Sequence, residues 1–246
     1  MSGFFITGTD TGVGKTFVAS ALSFALQARG FSVAPMKPVA AGTIDVNGVP
    51  MNEDVALAMR VCAHRFPLHA VNPYCFREAI APHIAARHEN IDVDMTVIRT
   101  AYRDLAERAD VVLVEGAGGF LVPLSQSESM ALIPSALQLP VVLVVGMRLG
   151  CINHALLTVE AIRSRGLALA GWIANTPTPG ATMNAYAENL STLQRMIDAP
   201  MIGELPAVDL APQSTPDNIG NILNAARSAA ALINTASLIP NTTEST

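Results

Sequence analysis

The stretch that most constrains this chain is Gly8 to Thr16, GTDTGVGKT, which follows the short apolar run Phe4 to Ile6 and opens onto a helical pattern. Gly12 and Gly14 permit backbone conformations that residues with a Cβ resist, so successive N–H groups can turn towards one point. Lys15 adds a cation and Thr16 a metal-ligand hydroxyl, while the helix that starts there contributes its positive end. These are the parts of a phosphate-binding loop. The usual G-x-x-x-x-G-K-[ST] spacing places the first glycine at position 9, where this chain has Thr9; the glycine sits one step earlier, at Gly8.

Such a loop needs a strand behind it and a helix after it, and the rest of the sequence repeats that alternation. Continuous apolar runs at Asp110 to Val114, Pro140 to Val145 and Leu167 to Ala174 read as strands buried on both faces. Phe31 to Pro38 and a short run at Met201 to Gly203 read as two more. Helical periodicity is expected over Phe17 to Arg29, Asn52 to His64, Pro82 to His88, Thr96 to Arg108, Met130 to Gln138, Ile152 to Arg165, Met183 to Met196 and Asn218 to Leu232. Asn52 suits the N-cap of its helix. Thr43 to Pro50 reads as a polar loop, and Phe66 to Phe76, with its two prolines, as irregular. The sequence therefore predicts an α/β fold, a parallel sheet with helices on both faces, in a single domain over residues 1–234 with a frayed polar tail at 235–246.

Composition narrows the function. Half of the 246 residues are apolar and 14% are charged, enough for a large core. The net charge of −5, with Lys and Arg scattered, argues against nucleic-acid or membrane-surface binding and favours small-molecule chemistry. Cys62, Cys75 and Cys151 lack C-x-x-C spacing, which fits a reducing compartment. No apolar run approaches the roughly 18 residues of a membrane span. With no basic segment at the N-terminus to mark a signal peptide, a cytoplasmic location is expected.

In an open parallel sheet, ligand groups gather at the carboxyl ends of the strands. Lys37, Glu115, Gly146 and Asn175 all fall at predicted strand ends, which nominates one shared rim. Glu115, opposite the phosphate loop, suits a magnesium-holding carboxylate. Asp54, on spacing alone, is either such a ligand or an acid that stabilises the first turn of its helix. Lys37 would place a second positive charge where negative charge gathers during phosphoryl transfer. Gly150 leads into a helix whose first amides, at Cys151, Ile152 and Asn153, form an expected carboxylate site. Cys151 carries no sign of an activated thiol, and the histidines have no metal-ligand spacing.

Taken together, GTDTGVGKT, KPVAAG, VNPYCF with APHIAA, VEGAGG, LGCINHALLT, AGWIAN and GELP resemble the dethiobiotin synthetase family over nearly the whole chain. That resemblance implies a P-loop NTPase-like fold and a cyclo-ligase of biotin biosynthesis that joins CO2 to 7,8-diaminononanoate at the expense of ATP. It further implies Mg2+ on Thr16, Asp54 and Glu115, with Lys15 and Lys37 flanking the reacting groups. ATP would lie along Gly12, Val13, Gly14, Lys15, Thr16 and Phe17 and along Glu115, Gly116, Ala117 and Gly118, with its base near Asn175, Thr176, Pro206, Ala207 and Val208. The substrate would lie near Thr11, Lys37 and the backbone of Ala41, its carboxylate on Cys151 and Asn153 of a neighbouring subunit in a homodimer. The chain departs from the family's frequent residues at Ala41, Ala79, Ala81, Phe120 and Thr176, and Tyr186 has no firm counterpart.

A second reading is an ATPase switch similar to ParA and MinD. Those proteins carry a signature lysine where this chain has Asp10, and the charge reversal counts against it. A ligase of the cobyrinic acid diamide-synthase type would need an ammonia source, and no glutaminase-type segment is evident.

Overall fold

The structure, a computed structural model, describes residues 2–46, 48–63, 65–177, 183–208 and 216–240. Its first strand, β1 (Ser2–Gly8), leads through the glycine loop into α1 (Lys15–Ala28), then β2 (Val33–Met36), β3 (Val39–Ala41), β4 (Ile44–Val46) and β5 (Val49–Met51). There follow α2 (Glu53–Val61), α3 (Leu68–Val71), β6 (Tyr74–Phe76), α4 (Pro82–His88), α5 (Met95–Ala106), β7 (Val111–Gly119) and α6 (Leu132–Leu137). The chain closes with β8 (Val141–Gly146), α7 (Cys151–Arg163), β9 (Leu169–Asn175), α8 (Tyr186–Met196), β10 (Met201–Leu205), α9 (Pro216–Ala229) and a 3-10 turn at Ala230–Leu232.

Among the described residues the main sheet has six strands in the order β10-β9-β8-β1-β7-β2, with every neighbouring pair parallel. Strand alternation then sorts side chains between two covered faces. Phe4, Ile6, Val111, Leu113, Val142 and Val144 pack with α1 and α9 on one side. Phe5, Val112, Val114 and Val141 turn the other way, towards α5 and α6. Beyond them, Leu143, Val145 and Trp172 meet α7 and α8. Burial on both faces is why these strands read as unbroken apolar runs.

Four stretches differ from expectation. Thr43 to Pro50 is mostly an antiparallel hairpin of β4 and β5, its turn held where Gly48 N donates to Asp45 Oδ1 at 2.9 Å. The stretch read as irregular, Phe66 to Phe76, contains α3 and then β6, which pairs in parallel with β3. β7 does not end at Glu115 but continues through the glycines to Gly119, so Glu115 lies within the strand, opposite Ile6. Finally, the first residues of the stretch expected to fray are docked: Arg29 donates to the carbonyls of Thr235 and Ile239 at 2.9 and 2.7 Å. Thr235 is buried. Residues 241–246 lie outside the described residues.

Candidate active site

The glycine loop crosses from β1 to α1 with Gly12 at φ 72° and Gly14 at φ 85°, both in the left-handed region. Gly14 is also the N-cap of α1, and a Cβ there would collide with the side-chain amide of Asn175. The displaced first glycine has a packing reason. A Cβ on Gly8 would stand 2.6 Å from Val13 Cγ2, whereas Thr9 has room and its hydroxyl accepts from Gly146 N at 3.3 Å. Lys15 Nζ donates to Asp10 O at 3.1 Å, folding the lysine over its own loop. Burial, and then the charge of Lys37, lower Lys15 to about 8.

Beside the loop, three elements bring charge together. Lys37, directly after β2, places Nζ 2.7 Å from Asp54 Oδ2 and 2.6 Å from Glu115 Oε1, with Gly116 O at 3.4 Å. Thr16 Oγ1 lies 2.7 Å from Asp54 Oδ1 and 2.9 Å from the same Glu115 Oε1, with one hydrogen to donate to either. Asp54 is set by its helix cap, since Asn52 Oδ1 accepts from Asp54 N at 3.0 Å. Lys37 is set by its backbone: its N donates to Val71 O at 2.7 Å and its carbonyl accepts from Asn72 Nδ2 at 2.6 Å.

Burial works against every charge here, and the pairing decides the outcome. For Lys37, burial is overcome by Asp54 and Glu115, which hold the ammonium above its ordinary range. For Asp54, burial is again overcome, by the charge and hydrogen bond of Lys37 and by Thr16, so its carboxyl is held low. Glu115 is deeper, and burial, with the nearby Asp54 charge adding to it, pushes its carboxyl up despite Lys37.

These groups open onto one cavity of about 720 Å³. Thr11, Gly12, Gly14, Lys15, Thr16 and Phe17 line it from the loop, and Lys37, Ala41, Asp54, Glu115, Ala117 and Gly118 from the rim. Asn175, Thr176, Pro206 and Val208 line its other end. Asn175 is 2% exposed; its Nδ2 donates to Val13 O at 2.8 Å, and its Oδ1 is buried without a partner. Val13, Gly116 and Ala207, expected along the nucleotide, do not line the cavity. Cys151 and Asn153 lie outside this chain's cavity. Cys151 is buried in the core under α7, its thiol is pushed up by burial, and its amide, expected to be free, donates to Arg148 O at 2.9 Å.

Sequence reasoning missed part of the wall. Asn52, read only as a cap, also lines the cavity and donates to Ala41 O and Gly42 O at 3.2 and 2.8 Å. Ala79, Ile80, Ala81 and Pro82 form a largely apolar side. Arg148 pairs with Asp10, tying the loop to the start of α7.

Two carboxylates and a hydroxyl form an all-oxygen donor set suited to a hard divalent cation that takes its remaining ligands from phosphate and water. Among the described residues no group of three His, Cys, Asp or Glu side chains gathers as a metal cage.

Comparison with known proteins matches this chain to a family. A family model described as an AAA domain matches residues 2–214. An ATP-dependent dethiobiotin synthetase of Aromatoleum aromaticum is 52% identical over 83% of this chain and 90% of that protein. The synthetase of Nitrosospira multiformis is 50% identical over 83% and 88%, and that of Vibrio parahaemolyticus 42% identical over 90% and 95%. The chain belongs to the ATP-dependent dethiobiotin synthetase family. Its members are ATP-dependent ligases. MinD of Aquifex aeolicus superposes with a TM-score of 0.52 over 94% of this chain and 93% of its own, at 15% identity, a likeness of fold alone.

Within this dethiobiotin synthetase fold the departures cluster at the cavity. Ala41, Ala79, Ala81 and Thr176 all line it. Phe120 is instead buried, with the Arg165 guanidinium 5.9 Å from its ring centroid. Tyr186 interacts with Thr176, which places it near the Asn175 end of the cavity.

Proposed function

We propose that this chain catalyses the ATP- and Mg2+-dependent carboxylation and ring closure of 7,8-diaminononanoate with CO2, giving dethiobiotin, ADP and phosphate. Family membership supports the reaction. The observation that carries the site assignment is the convergence of Lys15, Lys37, Asp54, Glu115 and Thr16 on one cavity wall.

One substrate amine takes up CO2, losing a proton, to form a carbamate. A carbamate oxygen then attacks the γ-phosphorus, the bond to ADP breaks, and a carbamic-phosphoric anhydride results. The second amine attacks the anhydride carbon, phosphate leaves, and that nitrogen gives up its proton as the five-membered ring closes. Every step gathers or moves negative charge, which the cations of Lys15 and Lys37 stabilise. Lys15 holds the terminal phosphates and Lys37 the carbamate and transferring phosphoryl group. Thr16, Asp54 and Glu115 would hold magnesium, which neutralises phosphate charge when bound. Holding both nitrogens close supplies much of the ring-closing advantage.

ATP lies along the glycine loop with its base towards Asn175. The diamine lies along Thr11, Lys37 and Ala41, and its carboxylate rests on the start of α7 of a second copy, at Asn153 beside the buried Cys151 whose amide is already taken by Arg148 O, in a cytoplasmic homodimer. The position of both residues outside this chain's own cavity agrees with that arrangement. No helix of the described residues is long and apolar enough to cross a membrane.

The test is phosphate release from ATP and Mg2+ with and without 7,8-diaminononanoate and bicarbonate. Release that requires the diamine, with dethiobiotin formed, is expected. Equal release without it would favour a nucleotide switch.

A further inference from the structure

The Lys37 ammonium stands where the metal reading above needs a dication. Glu115 Oε1 receives Lys37 Nζ at 2.6 Å and Thr16 Oγ1 at 2.9 Å, and the two oxygens of Asp54 are divided between the same two groups at 2.7 Å each. A dication drawing on Thr16, Asp54 and Glu115 would face an ammonium bonded to both carboxylates. The two compete for the same lone pairs, and their like charges repel strongly in so buried a place.

We propose that Lys37 is a built-in counter-ion that keeps Asp54 and Glu115 together when no metal is present and is released into the cavity when metal arrives. The inference rests on the metal assignment to Thr16, Asp54 and Glu115. The backbone of Lys37 is pinned on Val71 O and by Asn72, so the exchange is confined to its four-carbon side chain. Lys37 already lines the cavity, so a change of rotamer brings Nζ to the side where phosphate would lie. Lys15 does not take its place between the carboxylates, because its own ammonium rests on Asp10 O. In this arrangement the cation that assists phosphoryl transfer becomes available only once the metal is seated, which couples catalysis to metal loading.

Direct Mn2+ binding without nucleotide, followed by the electron paramagnetic signal of the free ion, tests the exchange. Lys37→Met, which keeps the chain length and removes the charge, is expected to bind Mn2+ at least about tenfold more tightly than the unaltered protein. Its thermal midpoint should fall without metal and recover with Mn2+. Equal or weaker binding by the variant overturns the proposal. A second measurement serves if the variant does not fold. In the unaltered protein, lysine-Nζ-labelled NMR should show the protected Lys37 ammonium losing protection on addition of Mg2+ with a non-hydrolysable ATP analogue. An unchanged signal overturns the exchange alone. If Asp54→Asn and Glu115→Gln leave metal uptake in that ternary complex unchanged, the metal assignment itself falls, and this inference with it.

Discussion

The side-chain amide of Asn72, 8% exposed, donates to the carbonyl of Lys37 at 2.6 Å and to that of Tyr74 at 2.9 Å. One buried residue thus fixes the backbone beneath the cation and the start of the strand beside it. Asn72→Ala leaves two carbonyls short of a donor, a loss of about 1–3 kcal/mol of stability. Turnover should fall more than the KM for ATP rises, because Lys37 and not the glycine loop loses its support. Thermal denaturation and steady-state kinetics together check this; an unchanged kcat in a folded variant would exclude the positioning role.

The two lysines should separate kinetically. Lys37→Leu is expected to lower kcat by about 10²–10³-fold while ATP still binds. Lys15→Gln should also weaken ATP, since the loop loses its only cation. Phosphate release at the normal rate by purified Lys37→Leu, with diamine and CO2 present, would remove Lys37 from the mechanism.

The pH profile follows from Lys15. Burial, and then the charge of Lys37, bring it down to about 8, so the empty site holds a charged Lys15 below that pH and a neutral one above it. Phosphate binds the charged form better. kcat/KM for ATP should therefore fall as pH rises through about 8, while kcat stays level further, because bound phosphate draws the proton back. A kcat/KM level across that range would contradict the assignment.

Asn175 is expected to set a nucleotide preference. One Nδ2 hydrogen is committed to Val13 O, and the acceptor Oδ1 is left without a partner in the protein. It suits the exocyclic amine of adenine and opposes the carbonyl of guanine. Asn175→Ala should reduce the ATP-over-GTP ratio of kcat/KM by about tenfold or more. An unchanged ratio would place base recognition elsewhere.

Much of this arrangement was legible before any coordinates. The glycine loop, the apolar strand runs and the rim positions of Lys37 and Asn175 are local patterns, and the structure brings those residues to one cavity. The pairing of β3 with β6 was not legible, because a strand of three residues has no periodicity to read and its partner is remote. Glu115 was placed at a strand end because glycines signal a turn. Here they continue β7, and a Cβ on Gly116 would stand 2.9 Å from Phe5 Cζ. Asn52 shows a third limit: its cap is local and visible, but its grip on Ala41 and Gly42 exists only once the hairpin folds back.

β1 lies in the middle of the sheet, between two partners that both come much later in the chain and begin at Val111 and Val141. During translation β1 therefore has neither partner until residue 119 has been made, and keeps one edge open until residue 146. Parallel pairing across so long an interval forms late, and a nascent chain stalled within it exposes an apolar, pairing-ready segment for chaperones to shield.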